Sequence, residues 1–101
     1  MLTVEIAERT PTTCVVVVTG ALDLASAGDL LARTDQLVAN GQTRLLLDVS
    51  RVTFCDSAGL GALLRARARA AEAGGQVRLR EPSTAVVRLL EVSGLEWLFT
   101  R

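Results

Sequence analysis

The stretch from Arg44 to Arg80, RLLLDVSRVTFCDSAGLGALLRARARAAEAGGQVRLR, decides the fold. Arg44-Leu45-Leu46-Leu47-Asp48-Val49 is an almost wholly apolar run of strand length. Ser50 to Asp56 reads as a loop, and Ser57 then opens a helix that continues to Ala73 and stops at Gly74-Gly75. Val77-Arg78-Leu79-Arg80 follows, with the alternation of an edge strand. A strand, a helix and a second strand in this order predict a right-handed crossover between parallel neighbours.

The flanks extend the same pattern. Leu2, Val4 and Ile6 alternate with Thr3, Glu5 and Ala7, the period of a half-buried strand. Thr10-Pro11-Thr12-Thr13 is a turn, and Cys14-Val15-Val16-Val17-Val18-Thr19 is a β-branched strand expected to be buried on both faces. The short connection makes these two strands antiparallel. Gly20-Ala21-Leu22-Asp23 leaves the strand, and Ser26 with Asp29 reads as a capping box. Leu30, Leu31, Thr34, Leu37 and Val38 recur at helical spacing before Asn40-Gly41. Ser83 caps a last helix through Val86, Val87, Leu89, Leu90 and Val92, closed by Gly94. The expected fold is α/β: one domain over residues 1–101, with a four-stranded, mostly parallel mixed sheet, an antiparallel first strand and helices packed on it.

Composition removes several functions. Half of the 101 residues are hydrophobic, enough for one core. Eleven basic and 11 acidic residues balance, which gives no electrostatic reason for direct nucleic-acid binding or an anionic membrane partner. No signal peptide or membrane-length apolar run is present, so the expected location is the cytoplasm and Cys14 and Cys55 are expected as reduced, small buried hydrophobes. The chain has no His, no Tyr and no Lys. It therefore lacks the commonest general base and metal ligand, and any phosphate-loop lysine. Gly59-Leu60-Gly61 lacks the third glycine of a dinucleotide fingerprint. Asp23, Asp48 and Asp56 make a weak metal site at most, and solvated loop carboxylates are the simpler reading.

Chemistry concentrates in Cys55-Asp56-Ser57-Ala58-Gly59-Leu60-Gly61, where a strand-following segment becomes a helix at the carboxyl end of a central strand. Asp and Ser at that place are ordinary caps. Two features point further. A helix N-terminus can hold a phosphate, although Asp56 opposes it with its own charge. The helix also has a bare flank: with Leu60, Leu63 and Leu64 buried, Ser57, Ala58, Gly61 and Ala62 lie opposite, followed by Arg65 and Arg69. Gly61 inside a helix costs about 1 kcal/mol relative to Ala, so it marks close approach either by another molecule or by a loop of the same domain. Arg67 falls on the apolar stripe, its stem expected along the core edge; Arg65, Arg67 and Arg69 otherwise read as a solvated surface.

Thr19-Gly20-Ala21-Leu22-Asp23, Leu45-Leu46-Leu47-Asp48-Val49-Ser50 and Val52-Thr53-Phe54-Cys55-Asp56-Ser57-Ala58-Gly59-Leu60-Gly61 together resemble the STAS domain family. Within it the pattern is closest to the bacterial anti-sigma factor antagonists, and Pro82-Ser83 and Val92-Ser93-Gly94-Leu95 continue it. The resemblance implies a binding protein, not an enzyme, with no cofactor of its own. Ser57 would be phosphorylated by an anti-sigma factor that is also a serine kinase and itself binds ATP. The unphosphorylated antagonist would hold that kinase and free a sigma factor for transcription, and a phosphatase would reset Ser57. Asp23, Asp56, Ser57, Ala58, Gly59, Gly61, Ala62 and Arg65 would form the partner-binding surface. The chain departs from the pattern at Ala21, where many relatives carry an acid, and at Arg101, beyond which many continue into another helix. Trp97 and Phe99 are then less covered and suit a weak homodimer. The alternative is a non-switching scaffold or ligand-binding subunit of a lipid-transport or sensory complex, with Ser57 only a cap.

Overall fold

The computed structural model describes residues 1–98 and has four strands and three α-helices: β1 (Leu2–Arg9), β2 (Thr13–Leu22), α1 (Ala27–Ala39), β3 (Arg44–Cys55), α2 (Ser57–Glu72), β4 (Gln76–Arg80) and α3 (Thr84–Ser93). A 3-10 turn, Glu96–Leu98, ends the described chain. The sheet order is β1-β2-β3-β4, with β1 antiparallel to β2 and the remaining pairs parallel. This is the mixed sheet expected from the sequence, with β4 at one edge and β1 at the other.

Register explains which residues are buried. Cys14 pairs with Leu45 and Val16 with Leu47, while Leu45 pairs with Val77 and Leu47 with Leu79. Because side chains alternate across a sheet, these residues share one face. They join Leu30 and Leu37 of α1, Leu60, Leu63 and Ala66 of α2, and Val86 and Leu90 of α3 in a single core. Contrary to expectation, β2 is not layered on both faces. Val15 is buried but stands outside that core, Val17 is half-buried, and Glu5 and Arg78 on the same face are exposed. All three helices bury their apolar stripes against the other face.

Two strands are longer than their sequence suggested. β2 continues through Gly20-Ala21-Leu22, and β3 continues through Ser50–Cys55, the stretch read as a loop. The reason lies in the pairing. Val17 and Thr19 face Asp48 and Arg51, and Gly20 and Ala21 face Val52 and Phe54, so β3 carries two extra residues as bulges. A bulge breaks the alternation that marks a strand in sequence while leaving the ladder continuous beyond it. Its effect here is positional: the 12 residues of β3 lie opposite the 10 of β2, so the two strands end together at Leu22 and Cys55, just before α2 begins.

The helix ends follow local chemistry, with one correction. The Ser83 hydroxyl accepts from the Val86 N–H at 3.4 Å, and Gly94 closes α3 in the left-handed region at φ 71°. Ser26 is not a capping-box residue, since its side chain caps no α1 amide. Its hydroxyl donates to the Ala21 carbonyl at 2.8 Å and accepts from the Asp23 N–H at 3.0 Å. Ser26 thus closes the turn before the helix, and its 7% exposure reflects that inward position.

Candidate functional site

The parallel strands β2 and β3 end side by side, bringing the Asp23–Ser26 turn to the N-terminus of α2. Asp56 joins them. Its Oδ1 accepts from the Gly59 N–H at 2.9 Å, the N-cap bond of α2, and its Oδ2 accepts from the Leu24 N–H at 3.3 Å. The Asp56 N–H donates to the Leu22 carbonyl at 3.3 Å. One carboxylate therefore caps the helix and pins the β2–α1 turn to it.

Asp23 organises the other side of that turn. Its Oδ1 accepts from the Ala25 N–H at 3.0 Å and the Ser26 N–H at 3.2 Å. The expectation of solvated loop carboxylates is corrected here: both groups are held by backbone amides. Asp48 lies apart, on the sheet, where its Oδ1 accepts from the Ser50 hydroxyl at 2.7 Å and its Oδ2 pairs with Arg80 at 3.5 Å. Burial alone would raise the Asp48 carboxyl, but the Ser50 hydrogen bonds and the Arg80 charge outweigh it and hold it below its ordinary value. Among the described residues no group of three or more His, Cys, Asp or Glu is placed to hold a metal ion.

Ser57 stands beside the cap without being it. It is exposed, opens α2, and its hydroxyl has no hydrogen-bond partner among the described residues. The cap reading for Ser57 is thus corrected, because the Asp56 carboxylate already occupies that place. The neighbouring Cys55 thiol is half-buried, donates weakly to the Asp56 carbonyl at 3.7 Å, and is pushed up to about 11 by burial and then by the Asp56 charge. It is a neutral thiol at physiological pH, and so a poor nucleophile. Buried Cys14 is also raised, burial outweighing the charges of Arg9 and Arg33. Both thiols are free.

The flank of α2 needs a second correction. Ala62 is only 1% exposed, packed with Leu63 and Ala66, and Gly59 is buried as well. A Cβ on Gly59 would lie 2.2 Å from the Leu22 carbonyl oxygen, so this glycine lets α2 approach β2. Leu64, expected in the core stripe, is half-buried at its edge. At Gly61 a Cβ would meet nothing within 4 Å. Close packing by the domain's own loop is therefore not the reason for Gly61. The accessible flank consists of Ser57, half-buried Ala58 and Gly61, and exposed Arg65.

The three arginines of α2 differ. Arg69 pairs with Asp35 of α1, and the Arg67 guanidinium lies 4.7 Å from the centroid of the Trp97 ring. Arg65 has no partner among the described residues. Arg67 thus covers part of Trp97, which the sequence reading left bare; Phe99 lies outside the described residues. Two residues around Ser57 were missed altogether. Leu24, whose amide binds Asp56, is 80% exposed, and Phe54, three residues before Ser57, is 53% exposed. The signal was a lone apolar residue in a polar turn and an aromatic at a strand end, neither distinctive without the fold.

A family model described as Mlab, STAS domain, matches residues 6–100. The chain belongs to the STAS domain family. Solved STAS structures carry the likeness further. The anti-sigma factor antagonist SpoIIAA in its unphosphorylated form is 27% identical, with a TM-score of 0.80, covering 97% of this chain and 86% of that one. An anti-sigma factor antagonist from Mycobacterium paratuberculosis is 27% identical, with a TM-score of 0.79 and coverage of 98% and 83%. Bacillus SpoIIAA in its phosphorylated form shares the fold at 22% identity, with a TM-score of 0.75 and coverage of 97% and 89%. This STAS domain therefore has the architecture of the anti-sigma factor antagonists. No helix among its described residues is long and apolar enough to cross a membrane.

Proposed function

We propose that this STAS domain is a cytoplasmic anti-sigma factor antagonist whose binding is switched by phosphorylation of Ser57. The observation that carries the reading is the division of labour at the start of α2. Asp56 caps the helix, which leaves the exposed Ser57 hydroxyl without a structural task. The structural neighbour SpoIIAA, described in unphosphorylated and phosphorylated forms, supports a switch of this kind. The partner is an anti-sigma factor with serine kinase activity that binds ATP itself. Unphosphorylated, the domain occupies the kinase and releases a sigma factor. Ser57 Oγ then attacks the γ-phosphorus of the partner's ATP; a new O–P bond forms, ADP leaves, and the hydroxyl proton passes to the partner.

The phosphoserine ends binding through charge. A dianion beside Asp56 makes a dense negative patch, and desolvating it at an interface is costly. Ala58 and Gly61 offer a flat surface for close approach, and Arg65, on the same flank, has no partner among the described residues. A phosphatase returns Ser57 to its hydroxyl form. The domain has no chemistry of its own in this scheme.

The test mixes the purified domain with the host's candidate anti-sigma kinase. Wild type and Ser57→Ala should bind it, Ser57→Asp should bind more weakly, and ATP should add one phosphoryl group to wild type alone. Equal binding by Ser57→Ala and Ser57→Asp sinks the switch. The matching family model is named for Mlab rather than for the anti-sigma antagonists, and this favours a second reading, the non-switching scaffold. That reading expects stable association with a complex lacking any kinase, unchanged by either substitution.

A further inference from the structure

The two edges of the sheet are treated differently. β4 is five residues long and presents Arg78 and Arg80, features that discourage pairing with another strand. β1 is eight residues long and its outer edge pairs with no strand among the described residues. Leu2, Val4 and Ile6 sit on its helix-side face, half-buried against the core. Beside them runs a groove of about 600 Å³, lined by Leu2, Val4, Asp29, Ala32, Arg33 and Gln36. Apolar residues form its floor, and a carboxylate and a guanidinium one helical turn apart form its wall.

We propose that two copies of this chain pair antiparallel through β1, about a twofold axis at Val4, so that each copy closes the other's groove. Three observations select this occupant and this register. A twofold axis normal to a sheet keeps each side chain on its own face, so only pairings within Leu2, Val4 and Ile6 or within Thr3 and Glu5 are allowed. Centring on Val4 opposes Leu2 to Ile6 and Thr3 to Glu5, extending the apolar stripe across both copies. Centring on Glu5 would set like charges face to face. The regular part of β1 agrees: its register with β2 runs evenly over Leu2–Ile6 and shifts between Ile6 and Glu8, so Val4 is the middle of the straight segment.

The third observation is charge. Asp29 and Arg33 line the groove from α1, and among the described residues neither is in an ion pair. The twofold reverses α1, setting Asp29 of one copy toward Arg33 of the other twice over. A self-complementary pattern of this kind is what an isologous interface requires. The pairing uses none of the residues of the Ser57 flank and stands independently of the switch.

Sedimentation over a concentration series, with circular dichroism as the check on folding, tests the proposal. Wild type should approach twice the chain mass at high concentration. Arg33→Asp should remain at one chain mass, and Asp29→Arg with Arg33→Asp should recover the dimer. Independently, mild oxidation of Val4→Cys should give a covalent dimer that wild type, with Cys14 and Cys55, does not. This second measurement decides the matter should a charge variant fail to fold. Wild type at one chain mass throughout would assign the groove to some other molecule and overturn the proposal. So would dimerisation of Arg33→Asp equal to wild type, or failure of Val4→Cys to cross-link.

Discussion

Asp56 is a cap and the Ser57 hydroxyl has no partner among the described residues, although both belong to the residue types that cap helices. Their substitutions should therefore separate. Asp56→Ala removes the bond to the Gly59 amide and the anchor of Leu24, and should cost about 1–2 kcal/mol. Ser57→Ala should change stability by less than about 0.5 kcal/mol, as expected for an exposed side chain without a bond. Urea denaturation of both variants checks this; a large loss in Ser57→Ala would return Ser57 to a structural role. The motif was legible in sequence, but which of two adjacent residues caps the helix depends on where the backbone enters it. A second residue-scale prediction concerns acid. The folded Asp48 carboxyl is held below its ordinary value of 3.8, so its contribution is present above that pH and is lost as pH falls through the depressed value. Asp48→Asn should flatten the acid limb of the stability curve relative to wild type, measured by denaturant unfolding between neutral pH and pH ~3.

Among the elements, α2 shows how much one glycine differs from another. Gly59 and Gly61 are two residues apart and face opposite surroundings. Gly59→Ala drives a Cβ into the Leu22 carbonyl and should cost about 2 kcal/mol or more, because the helix must move off β2. Gly61→Ala meets open space and should raise stability by about 1 kcal/mol through helix propensity alone. Thermal melts of the two variants test the pair, and the same loss in both would refute the geometry. Gly61→Arg should then weaken binding to the anti-sigma kinase while leaving the fold intact. Helical periodicity located this flank in the sequence, but it placed Ala62 on the wrong side. The core under α2 is centred nearer Ala66 than the leucines alone suggested, and small residues give periodicity no weight. β3 escaped sequence reading in its second half for a related reason, as its bulges erase alternation without ending the ladder.

Across the whole molecule, distant segments are tied together by contacts that no local pattern announces. Arg67 over Trp97 holds the last described turn against α2, the helix that carries Ser57. A cation–π contact at an exposed site is worth about 0.5–1 kcal/mol, so Arg67→Ala should cost no more than that. It should also shift the emission of Trp97, the single tryptophan; an unchanged spectrum would show the contact absent in solution. By itself the sequence determined the order of strands and helices, the antiparallel first strand, the stops at Gly74-Gly75 and Gly94, and the family resemblance in Asp56-Ser57-Ala58-Gly59-Leu60-Gly61. All of these rest on local propensity, periodicity of apolar residues and backbone freedom, which act within a few residues. Tertiary structure alone decided that Asp56 bonds to Leu24, that Gly59 lies beneath Leu22 while Gly61 is open, that Leu24 and Phe54 are exposed, and that the outer edge of β1 pairs with no strand among the described residues. Each of those is set by register between chains of atoms tens of residues apart, and a shift of one residue in the β2–β3 ladder would change them together.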